Sequence, residues 1–195
     1  WSTPGPTAVV EHGANPGMVS HLVKKALVEI AERCLAEDLL GDNTDAGREA
    51  LAAENFAHLA WKLGVKVIHV SERDTQITDK PKEVGEFVNT WSVDGFVGEG
   101  SQPCELGWGT HEKHFPHDGQ RNGYGCDAGI YLTRQGASVR VRSWTPGEGN
   151  YHGFLITHGE AISIADFFTV RERDKVVYRP TCHYAYHPCD NTVSS

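Results

Sequence analysis

Val65-Lys-Val-Ile-His-Val-Ser-Glu-Arg-Asp74 sets the architecture of this chain. Its β-branched first part, 65–70, reads as a strand that delivers Glu72, Arg73 and Asp74 to its carboxyl end, where sites in αβ arrangements often lie. Upstream, Val19, Leu22, Val23, Ala26, Leu27, Ile30, Ala31 and Cys34 fall at helical spacing and form one apolar stripe, with Lys24, Lys25, Glu32 and Arg33 largely off it. The spacing therefore predicts a helix that packs against a sheet. A second helix is predicted over 46–63, after the polar break 41–45, with Asp45 placed to cap its start and Gly64 its end. With a short strand over 7–11 leading into the turn His12-Gly-Ala-Asn-Pro-Gly17, a β-α-α-β unit results.

Outward from that unit the chain turns richer in β-structure. Residues 86–93 alternate like a strand, whereas 101–121 are loop-like, with Gly, Pro and three histidines. Strands are predicted over 128–132, 138–144, 151–157 and 175–179, interrupted by a helix over 160–167. There is no internal repeat and no low-complexity linker. A single α+β unit follows, a mixed β-sheet flanked by helices over 1–195.

The chain has 195 residues, 39% hydrophobic and 23% charged, enough to bury a proper core. A net charge of −8 argues against phosphate backbones and anionic membranes as partners and leaves a cationic small molecule electrostatically favoured. No stretch approaches the roughly 20 apolar residues that cross a bilayer, and the first residues lack the basic and apolar regions of a signal peptide. Five cysteines, at 34, 104, 126, 182 and 189, show no framework spacing, which favours a reducing compartment, the cytoplasm by default. The chain opens on Trp1 and is expected to be a piece of something longer.

Familiar cofactor and catalytic motifs are missing. Gly123-Tyr-Gly-Cys-Asp-Ala128 has the spacing of a dinucleotide turn, but a polar loop precedes it and a predicted strand follows, so backbone N–H groups at a helix start would not meet a pyrophosphate. Metal binding is the strongest rival signal. His111, His114 and His117 lie three apart, and Cys182, His183, His187 and Cys189 mix thiols with imidazoles, ligand types that borderline-soft ions favour. Neither run has a standard zinc spacing, and Pro116 keeps the first three off one helix face. Solvated loop histidines are the plainer account, so no metal is assigned; a metal-binding module or zinc-dependent hydrolase stands as the alternative.

In Asn89-Thr-Trp-Ser-Val-Asp-Gly-Phe-Val-Gly-Glu-Gly-Ser-Gln-Pro103, the Trp91 ring is close in sequence to Asp94 and Glu99. An ammonium over an indole face gains roughly 0.5 to 2 kcal/mol, and a carboxylate about 4 Å away contributes roughly 4 kcal/mol in a partly dry site. Taken alone, Trp91 reads equally as a packing residue, and Asp94 before Gly95 as a turn carboxylate.

Joined in order, several segments decide between these readings. The strings His12-Gly-Ala-Asn-Pro-Gly-Met-Val-Ser20, Glu72-Arg-Asp-Thr-Gln76, Asn89-Thr-Trp-Ser-Val-Asp-Gly-Phe-Val97, Glu105-Leu-Gly-Trp-Gly-Thr110, Arg140-Val-Arg-Ser-Trp-Thr-Pro146 and Tyr178-Arg-Pro-Thr-Cys-His-Tyr-Ala-Tyr-His-Pro188 together resemble the bacterial homospermidine synthase family, through nearly the whole chain. The resemblance implies a saccharopine-dehydrogenase-like catalytic and dimerisation domain, with the Rossmann domain that holds NAD lying outside this segment. It also implies a homodimer acting on putrescine and related diamines and polyamines. In that chemistry NAD oxidises putrescine to an imine, ammonia leaves, a second putrescine condenses and the cofactor reduces the product. The segment alone is then expected to be inactive. By the same resemblance Trp91 steadies the cationic intermediate, Glu72 and Glu99 anchor ammonium groups, Asn15 stands near the nicotinamide and the inner amine, and His158 and Glu160 line the pocket. His158 is there the candidate proton carrier. Gly159 stands where the family usually has Asn, and the stretch 39–54 is longer than the family pattern suggests.

Overall fold

The computed structural model of the chain describes Gly5 and residues 12–123 and 125–194. The strand expected over 7–11 lies outside the described residues. Helix α1, Met18–Ala36, buries Leu27 and Ala31 and lays Val19 and Val23 against the same core, one face at i, i+4 spacing. Leu22 and Ile30, expected in that stripe, are instead 52% exposed each.

The long second helix is broken in two, α2 at Thr44–Ala52 and α3 at Phe56–Lys62. Glu54 takes a left-handed φ of 51°, while its N–H bonds to Leu51 O and that of Asn55 to Ala50 O, a Schellman ending without glycine. Asn55 then caps α3 by accepting from the His58 N–H. Gly64, with φ 71°, closes α3 as the sequence predicts: its N–H reaches Trp61 O, and that of Val65 reaches Ala60 O. Asp45 lies inside α2 and makes no cap.

Strand β1, Val67–Arg73, begins two residues later than expected and carries Glu72 within it. Residues 86–92 are not a strand. Ser92 caps a helix, α4 at Val93–Ser101, by accepting from the Gly95 N–H, which places Asp94 in a helical first turn where a carboxylate suits the dipole. The expected loop holds two further strands, β2 at Pro103–Gly107 and β3 at Gly119–Arg121. Then come β4, Gly129–Gln135; β5, Arg140–Thr145; β6, Gly149–Phe154; helix α5, Gly159–Phe167; the hairpin β7, Val170–Glu172, with β8, Lys175–Tyr178; and β9, Thr181–His187, before the short α6, Asp190–Val193.

Strand β9 is the centre of the seven-stranded sheet. It runs parallel to β1 along its whole length, meets antiparallel β2 through Gly107 and Cys182, and meets β6 through Phe154 and Tyr186. The register pairs Val70 with Tyr184 and Glu72 with Tyr186, so these four side chains share a face. His69 and His183 pair on the reverse face. The core forms where α1, α2, α3 and α5 meet Val70, Cys182, Tyr184 and Tyr186 of the sheet.

Candidate active site

Four separate elements bring the expected residues to the Tyr184–Tyr186 face. A cavity of about 150 Å³ is lined by Asn15, Glu72, Trp91, Glu99, Ile156, His158, Tyr184 and Tyr186. Asn15 comes from the turn before α1, Glu72 from β1, Trp91 from the segment before α4, Glu99 from α4, and His158 from the residue that opens α5. Glu160 stands behind His158.

Asn15 Nδ2 donates both to Glu72 Oε2 and to the Tyr184 hydroxyl, the latter at 2.5 Å, which uses both amide hydrogens. Burial pushes the Glu72 carboxyl above its ordinary value; the Asn15 bond and His158 pull the other way, and Asp74 and Glu160 add to the rise. Burial likewise raises Glu99, against the pull of His158. Among the described residues no hydrogen bond or ion pair engages the Glu99 carboxylate, which lies late in α4, where the dipole disfavours negative charge. Such a group is suited to an incoming cation.

His158 is sandwiched. Its ring stacks on Tyr184 with centroids 4.1 Å apart and planes 13° from parallel, and its Nδ1 lies 2.8 Å from Glu160 Oε2, a charge contact without hydrogen-bond alignment. Glu160 is only 2% exposed, yet two helix starts support its charge: it lies in the first turn of α5, and its Oε1 accepts the N–H of Gly17 at the start of α1, at 2.9 Å. Gly17 is obligatory there, because its φ is 136° and a Cβ would come within 2.5 Å of Gly13 O.

Trp91 is 41% exposed, with its Nε1–H donating to the Tyr186 hydroxyl at 3.2 Å. Its ring lies on the bare backbone of Gly95, where a Cβ would come within 2.8 Å of Cζ3. Larger hollows exist elsewhere, such as one of about 380 Å³ lined by His69, Arg142, Ser143, Trp144, Asn150, Tyr151 and His152. That lining has no carboxylate, so it offers nothing to balance a buried ammonium.

Tyr184 and Tyr186 were not expected as cavity residues; both belong to the run whose thiols and imidazoles suggested a metal. That run is a strand, and its alternation sends Cys182 to the face opposite His183 and His187. Cys189 instead contacts Thr192 Oγ1, and His183 lies against His69. His111 pairs with Glu112, and His117 with Asp118. Among the described residues no group of three or more His, Cys, Asp or Glu is placed to hold a metal ion.

Residues 13–195 match the saccharopine dehydrogenase C-terminal domain, and the chain belongs to that family. Within it, the chain is 55% identical over 192 residues to homospermidine synthases of Blastochloris viridis and of Mesorhizobium japonicum, covering 98% of this chain and 38% of each relative. The crystal structure of the homospermidine synthase of Legionella pneumophila in complex with NAD superposes with a TM-score of 0.80 at 48% identity, over 94% of this chain and 38% of that one. The chain thus spans well under half the length of the relatives it matches.

Proposed function

We propose that this cavity holds the ammonium groups and cationic intermediates of a short aliphatic diamine, and that the chain is the substrate-side part of a longer homospermidine synthase. That enzyme would transfer an aminobutyl group from one putrescine to another, releasing ammonia. The observation that carries the reading is the enclosure of one cavity by an indole and two partly desolvated carboxylates, one of them without a protein partner. In this reading Glu72 and Glu99 bind the two ends of the diamine and Trp91 steadies the positive charge between them. Glu160 engages His158 at Nδ1, which leaves Nε2 as the ring nitrogen that exchanges a proton with the substrate amine. Asn15, with both amide hydrogens engaged, offers Oδ1 to the inner amine.

NAD would supply the acceptor and donor of hydride. Its phosphates do not fit this chain: Gly123–Ala128 leads directly into β4 with no helix after it, and no strand–turn–helix cradle occurs among the described residues. The proposal therefore assigns dinucleotide binding to a Rossmann domain elsewhere in the longer protein, with only Asn15 of this chain beside the nicotinamide. A cytoplasmic homodimer belongs to the same reading; five unpaired cysteines suit a reducing compartment.

The test is homospermidine formation from putrescine and NAD, measured with the full-length protein and with these 195 residues alone. Turnover by the former and none by the latter is expected. Activity of the short chain would overturn the cofactor assignment, and an inactive full-length protein would overturn the reaction.

A further inference from the structure

Trp91 has little to hold it. It stands in an irregular segment, 41% exposed, and an indole carries a single polar group, its N–H. That group donates to the hydroxyl of Tyr186, 3.2 Å away on the central strand. Phe96 locks the pair by packing edge-to-face on both rings, with centroids 6.1 Å from Trp91 and 6.2 Å from Tyr186. On another side the benzo ring rests on Gly95. The phenol is well suited to the task, since burial pushes its pKa up to about 12 and the hydroxyl stays a neutral acceptor across working pH.

An indole presents a negative face and a positive N–H edge, so its value to a cation depends on which of the two meets the guest. We infer that Tyr186 is a positioning residue: by accepting the N–H it fixes the polar edge of Trp91 on the sheet and reserves the π face for a cationic diamine. The inference rests on the diamine reading of the cavity. Its distinctive consequence is that Tyr186 acts only through the indole N–H.

A double-mutant cycle in the full-length protein tests this, with Tyr186→Phe, Trp91→Phe and the two combined. Phenylalanine at 91 keeps a π face but has no N–H. Tyr186→Phe alone is expected to lower kcat/KM for putrescine about five- to tenfold, mostly through KM, the cost of one hydrogen bond. On the Trp91→Phe background the same change is expected to have less than a twofold effect. Equal losses on both backgrounds, or no loss on either, would overturn the inference. Tryptophan emission of the same four proteins gives a readout that needs no turnover: a shift caused by Tyr186→Phe that vanishes once Trp91 is replaced supports the positioning role, and an unshifted spectrum overturns it. A full-length protein inactive on putrescine would defeat the functional reading, with the emission comparison still deciding whether Tyr186 holds Trp91.

Discussion

His158 Nδ1 and Glu160 Oε2 meet at 2.8 Å with their side chains only 7% and 2% exposed, and the other oxygen of that carboxylate reaches back to the Gly17 N–H. Glu160 therefore joins the turn that carries Asn15 to the helix start that carries His158. Replacing it by alanine strands the Gly17 donor and removes the partner of a buried ring, at a cost of about 2 to 3 kcal/mol. Glu160→Gln keeps an acceptor and is expected to lose about half as much. Urea midpoints of the two variants check this; equal stability of Glu160→Ala and the unsubstituted protein would contradict it.

Because burial raises both Glu72 and Glu99, each takes up a proton at a higher pH in the folded chain than in the unfolded one. Between the ordinary carboxylate value of 4.5 and the raised one, the folded state binds more protons, so ligand-free stability falls as pH rises through that window. A diammonium guest favours the ionised form, so its affinity must rise with pH over the same range. Calorimetric titration with putrescine from acid to neutral pH should show that rise, and Glu99→Gln should flatten it. A pH-independent affinity would exclude carboxylate anchoring.

Truncating Trp91 to alanine removes the aromatic wall. Cation–π attraction of roughly 0.5 to 2 kcal/mol corresponds to about 2- to 30-fold weaker diamine binding. Turnover should suffer more than binding, because the migrating cation loses its support as well. Steady-state kinetics of Trp91→Ala in the full-length protein reads this directly, and unchanged constants would remove the aromatic role.

On the reverse face of the sheet, His69 Nδ1 and His183 Nε2 are 2.5 Å apart, and His69 Nε2 continues to Ser143 Oγ at 2.7 Å. Burial, then the neighbouring His69, lowers His183 to about 4, against the pull of Glu112. The unfolded chain thus binds this proton from pH 6.5 downward while the folded chain refuses it until about 4. The stabilisation is complete above 6.5 and is lost as pH falls across that window, on the order of 3 kcal/mol in all. His183→Phe should flatten the acid limb of a stability–pH curve.

Glu54 holds a φ of 51° that side chains rarely accept. Glu54→Gly removes that strain at the end of α2 and is expected to add about 1 kcal/mol of stability, read as a higher urea midpoint.

Much of the fold is legible wherever one face of an element is wet. Helix α1 shows its stripe, α5 and most of the later strands fall near their expected places, and Gly64 marks the end of α3. Strand β9 is hidden for the opposite reason. Thr181, Cys182, Tyr184, Ala185 and Tyr186 are all buried, so its sequence does not alternate and its thiols and imidazoles look like ligands. Three glycines disguise α4, although one of them, Gly95, is there to admit the Trp91 ring. The helix break at Glu54 has no glycine to announce it. The cavity residues are scattered from Asn15 to His158, and only the family resemblance joins them in sequence; Tyr184 and Tyr186 become visible as cavity wall once β9 is known to lie against β1.

The most direct measurement is a crystal of the full-length protein soaked with putrescine. The account predicts diamine density in the cavity between Glu72 and Glu99, passing over the face of Trp91. Ordered putrescine held at another site, with this cavity free of it, would contradict the account.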